Sequence, residues 1–152
     1  DRNMSWPQFT KKEIEKVSKI IKSGKVNYWT GSECKNFEKE FEKYFGINYC
    51  ISVANASLGL EAAVLSLDLK NTDEVITTPR SYNSSASSII RAGAKVVFAD
   101  IDRKTQNIDP NSIVKKITKN TKAILCVHLG GMPCDMKSIQ KIAKENKLKL
   151  IY

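Results

Sequence analysis

Residues 49–67 read Y-C-I-S-V-A-N-A-S-L-G-L-E-A-A-V-L-S-L. The first five, Tyr49-Cys50-Ile51-Ser52-Val53, are apolar and rich in β-branched or aromatic side chains, which predicts a strand. The second half places Leu58, Ala62, Ala63 and Leu65 on one helical face with few breakers. Between them lies Ala54-Asn55-Ala56-Ser57, a tight turn of small residues and one Asn. A strand that turns at once into a helix through side chains this small leaves backbone N–H groups pointing outward. Those donors and the helix dipole suit an anion, and phosphate is the usual biological one. Ser57 can cap the helix, donate its hydroxyl to a phosphate, or do both. A Ser-capped helix that binds nothing is the commoner feature in α/β proteins, so the stretch suggests phosphate without deciding it.

Downstream the same alternation recurs. Glu74–Thr78, Lys95–Ile101, Lys122–Val127 and Leu148–Tyr152 are predicted strands, with Lys95–Ile101 and Lys122–Val127 buried. Between them the residues predict helices. Ser81–Ala92 carries Ser84, Ser85, Ala86, Ser87 and Ser88, small enough for close approach to a neighbour or a ligand, and Gly93 ends it. Asp109 and Pro110 are the N-cap and first residue of a helix leading to Ile117. Asp135–Glu145 turns Met136, Ile139, Ile142 and Ala143 inward. Near-continuous apolar strands alternating with helices predict an α/β fold, a parallel sheet covered on both faces. Ligands in such folds bind beyond the carboxyl ends of the strands. The turn at 54–57, the loop Pro79–Tyr82, Asp100–Asp102 and His128–Gly131 all belong to that edge.

Upstream lie two amphipathic helices. The first is Phe9–Lys22, with Thr10 as N-cap and Ser23-Gly24 as stop. The second is Glu33–Phe45, with Phe37, Phe41, Tyr44 and Phe45 on one face and Gly46 as terminator. The aromatic loop Val26–Gly31 joins them; exposed loop aromatics serve ligand contact or packing about equally.

Composition bounds the function. The 152 residues are 41% hydrophobic and 27% charged, enough chain for one real core. No apolar run approaches the roughly 18 residues that cross a bilayer. The N-terminal residues lack a signal-peptide core, so a cytoplasmic location is expected. The net charge of +9 is spread along helix-like segments (Lys11, Lys12, Lys16, Lys19, Lys22; Lys137, Lys141, Lys144, Lys147). Solvated helix faces explain that spread, and no nucleic-acid motif is present. Four cysteines in no C-x-x-C spacing and one histidine make a structural metal site improbable and suit a reducing compartment. Cys50 and Cys126 sit in apolar runs, where a thiol behaves as a small hydrophobe.

Taken in order, G-S-E-C-K-N-F-E-K-E-F, A-N-A-S-L-G-L-E-A-A, D-E-V-I-T-T-P-R-S-Y-N-S-S-A-S-S-I-I-R-A-G-A-K-V-V-F-A-D-I-D, Q-N-I-D-P and T-K-A-I-L-C-V-H-L-G-G-M-P-C-D-M resemble the N-terminal half of the pyridoxal-phosphate-dependent nucleotide-sugar aminotransferases, the DegT/StrS group. The resemblance implies the aspartate-aminotransferase fold, type I, with a three-layer, mainly parallel sheet. It implies transfer of an amino group from glutamate to a keto sugar carried on UDP, dTDP or GDP, in surface-polysaccharide or glycan biosynthesis, by a homodimer. Residue by residue, Ala56 and Ser57 match the phosphate-cup pair; Ala56 departs from the Gly common there, yet is still small. Tyr82 matches the aromatic that stacks on the cofactor ring, and a flat ring does need a flat apolar face. Asn27, Trp29 and Gly31 match a segment near the sugar or the partner subunit. His128 lies at the matching V-H-L position, where a histidine hydrogen-bonded to backbone is a better reading than a catalytic one. Asp135 reads as a helix cap rather than a ligand contact.

The resemblance also implies what these residues lack. The acid that keeps the cofactor's ring nitrogen protonated and the lysine that forms the Schiff base both lie, in the family, beyond the position of Tyr152. Residues 1–46 then form an N-terminal helical segment with the aromatic loop, and 47–152 the first part of the large domain. The chain alone is expected to be inactive. Three rivals remain open: a sugar dehydratase of the same family, with histidine in place of that lysine; a non-catalytic basic module binding phosphate or nucleic acid; and a fragment that has lost function and survives as an oligomerising partner. The second predicts polyanion binding that falls steeply with salt.

Overall fold

The computed structural model describes residues 6–152, so the part of the N-terminal reading that falls on residues 1–5 lies outside them. The chain falls into two compact units, the first ending at Ser52 and the second running Val53–Tyr152.

The first unit holds helices α1 (Lys11–Ser23) and α2 (Glu33–Phe45). Thr10 starts α1 with a reciprocal capping box: its hydroxyl accepts from the Glu13 amide, and the Glu13 carboxylate accepts from the Thr10 amide. Gly24 and Gly46 end the two helices in the left-handed conformation that glycine adopts without strain. Phe37, Phe41 and Phe45 stack in series along α2, with centroids 5.8 and 4.4 Å apart, and all remain exposed or half exposed.

The predicted strand at Tyr49–Val53 does not form. The segment joins no sheet, and Tyr49 and Ile51 are more than four-fifths exposed. Its alternate amides find side chains instead: Cys50 N–H donates to Glu42 Oε1 (2.9 Å) and Ser52 N–H to Glu38 Oε1 (2.8 Å). A strand is defined by a neighbouring ladder, which composition cannot supply. Cys50, expected inside a buried strand, is accordingly only half buried.

The second unit is an α/β layer structure built on a parallel sheet of order β2-β1-β3-β4, comprising β1 (Glu74–Thr77), β2 (Lys95–Phe98), β3 (Thr121–Leu125) and β4 (Lys149–Ile151). The helices are α3 (Ala56–Leu65), α4 (Ser84–Arg91), α5 (Pro110–Lys116) and α6 (Met136–Glu145). Two cores form because successive strand residues point to opposite faces. On one side Val75, Ala123 and Leu125 pack with Val64 of α3 and Ile89 of α4. On the other Ile76 and Ile124 pack with Ile113 of α5 and Ile139, Ile142 and Ala143 of α6. Each fully buried isoleucine contributes about 1.5–3 kcal/mol of transfer free energy.

Two expectations shift here. The strand read as Lys95–Ile101 stops at Phe98; it is an edge strand, with Lys95 exposed and Phe98 46% exposed. Beyond it Ile101 pairs with Ile108 as an isolated antiparallel bridge. On α3 the buried face is not Leu58 and Leu65, which are about half exposed, but Val64 with Leu60 and Leu67 beside it. Apolar residues surround α3 on all sides, so periodicity could not pick the packed face. Among the described residues no helix is long and apolar enough to cross a membrane, and no His, Cys, Asp or Glu cluster could hold a metal.

Candidate functional site

Helix α3 leads into β1 and α4 follows it, so both helices begin beyond the carboxyl ends of the strands. Their adjoining faces enclose a cavity of about 580 Å³, lined among others by Asn55, Ser57, Glu61, Tyr82, Ser84 and Arg91. It brings Ser57 and Tyr82 together. Ala56, one residue earlier, does not line it.

The N-cap of α3 is Asn55, not Ser57. Asn55 is extended (φ −162°, ψ 165°), its side-chain oxygen accepts from the Leu58 amide at 3.1 Å, and its carbonyl accepts from Gly59. Both types cap well; the backbone conformation decides between them. Because Asn55 takes those two amides, the N–H groups of Ala56 and Ser57 have no partner among the described residues, nor does the Ser57 hydroxyl. Two free amides and a hydroxyl at the positive end of a ten-residue helix can receive an anion.

Tyr82 lies just ahead of α4 and is 78% exposed. Its carbonyl accepts from the Ser85 amide, and Ser81 and Ser85 share a hydroxyl–hydroxyl bond of 2.7 Å, which tethers the turn below the ring. Ser85 and Ser88 are buried, and side chains this small let α4 lie close to α3 and the sheet. Arg91 closes the far end of the cavity, with its guanidinium 3.6 Å from Glu61. An anionic, flat, partly apolar ligand fits this set: donors for its charge and an open aromatic face for its ring. These are the properties of pyridoxal phosphate, so the residues present fit that cofactor.

The other two residues singled out at this edge serve structure. His128 Nδ1 accepts from the Cys134 amide (3.1 Å), which leaves the ring proton on Nε2. Asp135 caps α6, accepting from the Ser138 amide (3.1 Å) and hydroxyl (2.6 Å), and these bonds hold its carboxyl below the ordinary aspartate value. Burial pushes the Cys126 thiol up to about 12, so it is an inert hydrophobe.

In the first unit, Asn27 Oδ1 accepts from the Trp29 amide, the Thr30 amide and the Thr30 hydroxyl at 3.0–3.1 Å. That consumes its oxygen and leaves its NH2 group free. Trp29 is 85% exposed, with its ring edge-on to Tyr28. A Cβ at Gly31 would sit 2.7 Å from the Lys25 carbonyl oxygen, so only glycine closes this turn.

Sequence reasoning missed two residues. Asn107 is 3% exposed and bonds three backbone groups of the loop before α6, the Leu129 amide and the Met132 and Pro133 carbonyls. Glu38 is buried at 8% exposure and accepts from Tyr28 and twice from Ser52. Its signal was present: it stands between Phe37 and Phe41, on the apolar side of α2.

Residues 7–152 match the model of the DegT/DnrJ/EryC1/StrS aminotransferase family. A dTDP-3-amino-3,6-dideoxy-alpha-D-galactopyranose transaminase from Aneurinibacillus thermoaerophilus is 43% identical over 141 residues, covering 92% of this chain and 38% of the relative. The aminotransferase structure from Psychrobacter cryohalolentis superposes with TM-score 0.92 at 45% identity, over 96% of this chain and 37% of that one. NtdA from Bacillus subtilis, solved with bound cofactor PMP, superposes with TM-score 0.85 at 32% identity, over 93% and 33%. The chain thus spans little more than a third of the proteins it matches.

Proposed function

Because the chain belongs to the DegT/DnrJ/EryC1/StrS aminotransferase family, whose members depend on pyridoxal phosphate, we propose that the protein carrying it moves an amino group from glutamate to a nucleotide-linked keto sugar. One observation from the structure carries the reading: Asn55 caps α3 so that the Ala56 and Ser57 amides stay free, beside a cavity that also holds Tyr82. Ala56 and Ser57 hold the cofactor phosphate through those amides, and the Ser57 hydroxyl adds a charge-assisted bond. Tyr82 lays its ring against the cofactor ring, which fixes the ring plane and shields one face from water. When bound, the cofactor would carry the amino group between the two substrates and would act as the electron sink for the proton movements that accompany the transfer. Asn27, through its free NH2, and Trp29, through its open indole face, meet the sugar nucleotide, while Gly31 keeps their turn closed.

No lysine lines the cavity, and no residue of this chain is assigned the covalent or proton-shuttling role. The chain by itself is therefore read as inactive, and the working protein as a homodimer. The experiment is to load the full-length protein with pyridoxal phosphate and follow turnover of glutamate with UDP-, dTDP- and GDP-linked keto sugars. Amino-sugar formation supports the reading. Loss of the sugar's C3 oxygen without amine transfer would make it a dehydratase. Absence of cofactor uptake, with salt-sensitive polyanion binding, would favour the binding module.

A further inference from the structure

Among the described residues, Glu38 is the one charged side chain that is buried. A buried carboxylate is costly unless donors satisfy it, and three converge here. The Ser52 amide and hydroxyl both donate to Oε1 at 2.8 Å, and the Tyr28 hydroxyl donates to Oε2 at 3.1 Å. The Ser52 bonds, with Tyr28 and nearby Lys35 adding to them, hold the carboxyl below its ordinary value of 4.5.

Holding the extended segment needs only half of this. One turn along α2, Glu42 accepts from Cys50 N–H as Glu38 does from Ser52 N–H. Four helical residues advance about 6 Å, and two extended residues about 6.6 Å, so acids four apart match alternate amides of an extended chain. Oε1 completes that match. Oε2 is left over, and it reaches the aromatic loop. Tyr28 carries Trp29 edge-on at 5.8 Å, with Lys35 Nζ 5.3 Å from the Tyr28 ring centre. Trp29 itself projects into solvent.

We infer that Glu38 is a positioning residue for substrate: through Tyr28 it fixes the Asn27–Gly31 turn and sets the direction of the Trp29 ring. The inference rests on the reading of that turn as the sugar-nucleotide contact. Glu38 touches no substrate; it removes the freedom of the loop that does, so a bound ligand loses less entropy in ordering it.

The test uses the full-length protein and three variants. Tyr28→Phe keeps the ring and every Ser52 bond, and deletes only the link to the loop. Glu38→Gln can still accept from Ser52 and donate to Tyr28, and Glu38→Ala removes everything. The expected result for Tyr28→Phe is a KM for the sugar nucleotide raised about 5–10-fold, because the bound ligand must now order the loop that this bond held. Its kcat stays within about twofold, and so does the rate at which glutamate alone converts the bound cofactor. Glu38→Gln, which still bonds both Ser52 and Tyr28, keeps KM close to that of wild type, and Tyr28→Phe adds nothing to Glu38→Ala. Hydrogen exchange in Tyr28→Phe accelerates at the Trp29, Thr30 and Gly31 amides, with β1 and β3 unchanged. Unchanged loop exchange, or faster exchange with unchanged KM, overturns the inference. A wild-type protein that turns over no sugar nucleotide overturns the proposed function instead, and the exchange arm still decides whether Glu38 holds the loop.

Discussion

Helices α3 and α6 lie on opposite faces of one sheet, and both open with a side-chain cap, but they treat the positive end of the helix in opposite ways. Asp135 puts a carboxylate on the first turn of α6 and fills it with the Ser138 amide and hydroxyl, while the Met136 amide bonds the Cys134 carbonyl. Asn55 caps α3 with a neutral oxygen, spends it on Leu58, and leaves two amides open. A charged cap stabilises its helix and repels a second anion; a neutral cap gives up some of that stabilisation and keeps the anion site. Cap chemistry, more than the presence of a helix start, separates a closed terminus from one whose amides stay open to a ligand.

Exchanging the two caps should produce the largest effect. In the full-length protein Asn55→Asp still caps α3, so stability should stay within about 0.5 kcal/mol. The new charge stands beside the proposed phosphate. Unit charges about 6 Å apart at an effective dielectric of 20 repel by about 3 kcal/mol, roughly 100-fold in affinity. Titration of the apoprotein with pyridoxal phosphate, read beside thermal unfolding, checks both halves. Binding as tight as wild type would remove α3 from the cofactor site. Asp135→Asn should leave cofactor affinity alone.

A second contrast concerns the lead-ins. The loop before α6 is fastened by Asn107 through three backbone bonds, whereas α3 follows the short turn after Val53. Asn107→Ala leaves those buried groups unpaired and should cost about 2–3 kcal/mol. Denaturant unfolding gives the loss, and faster amide exchange at 128–133 with none at 55–59 locates it. Smaller still are the paired serine truncations. Ser57→Ala should weaken cofactor binding about 10-fold, the worth of one charge-assisted bond, with little change in stability. Ser138→Ala should do the reverse, costing up to about 1 kcal/mol and leaving cofactor affinity intact.

Much of this was legible in the residues. The four paired strands were located within about three residues at their ends, and the caps at Thr10, Asp109 and Asp135 were readable because side chain and following turn are local in sequence. His128 was read as a backbone-bonded loop residue, and it is one. What failed was non-local or degenerate. Tyr49–Val53 has strand composition, but pairing depends on a neighbour, and Glu38 and Glu42 claim its amides first. The window 54–57 held two competent caps, which only backbone dihedrals tell apart. Glu38 is hard to read because an acid on a helix ordinarily faces water, and only the spacing of Phe37 and Phe41 around it argues otherwise.

The smallest effect is the cleanest sign test of the two caps. The bonds from Ser138 hold Asp135 below the ordinary aspartate value of 3.8. A group with a depressed folded value binds its proton more readily when unfolded, so its stabilisation is complete above about pH 4. It is lost as pH falls through the lower folded value, because the protonated carboxyl accepts poorly from Ser138. Asn55 has no proton to gain. Acidifying below pH 4 should therefore fray the first turn of α6 before that of α3, seen as earlier loss of amide protection at Ser138 than at Leu58. In Asp135→Asn that order should vanish, since both helices then carry neutral caps. If the Ser138 amide keeps its protection down to the pH at which the whole unit unfolds, the α6 cap does not depend on its charge, and the contrast between the two helix starts reduces to the open amides of α3 alone.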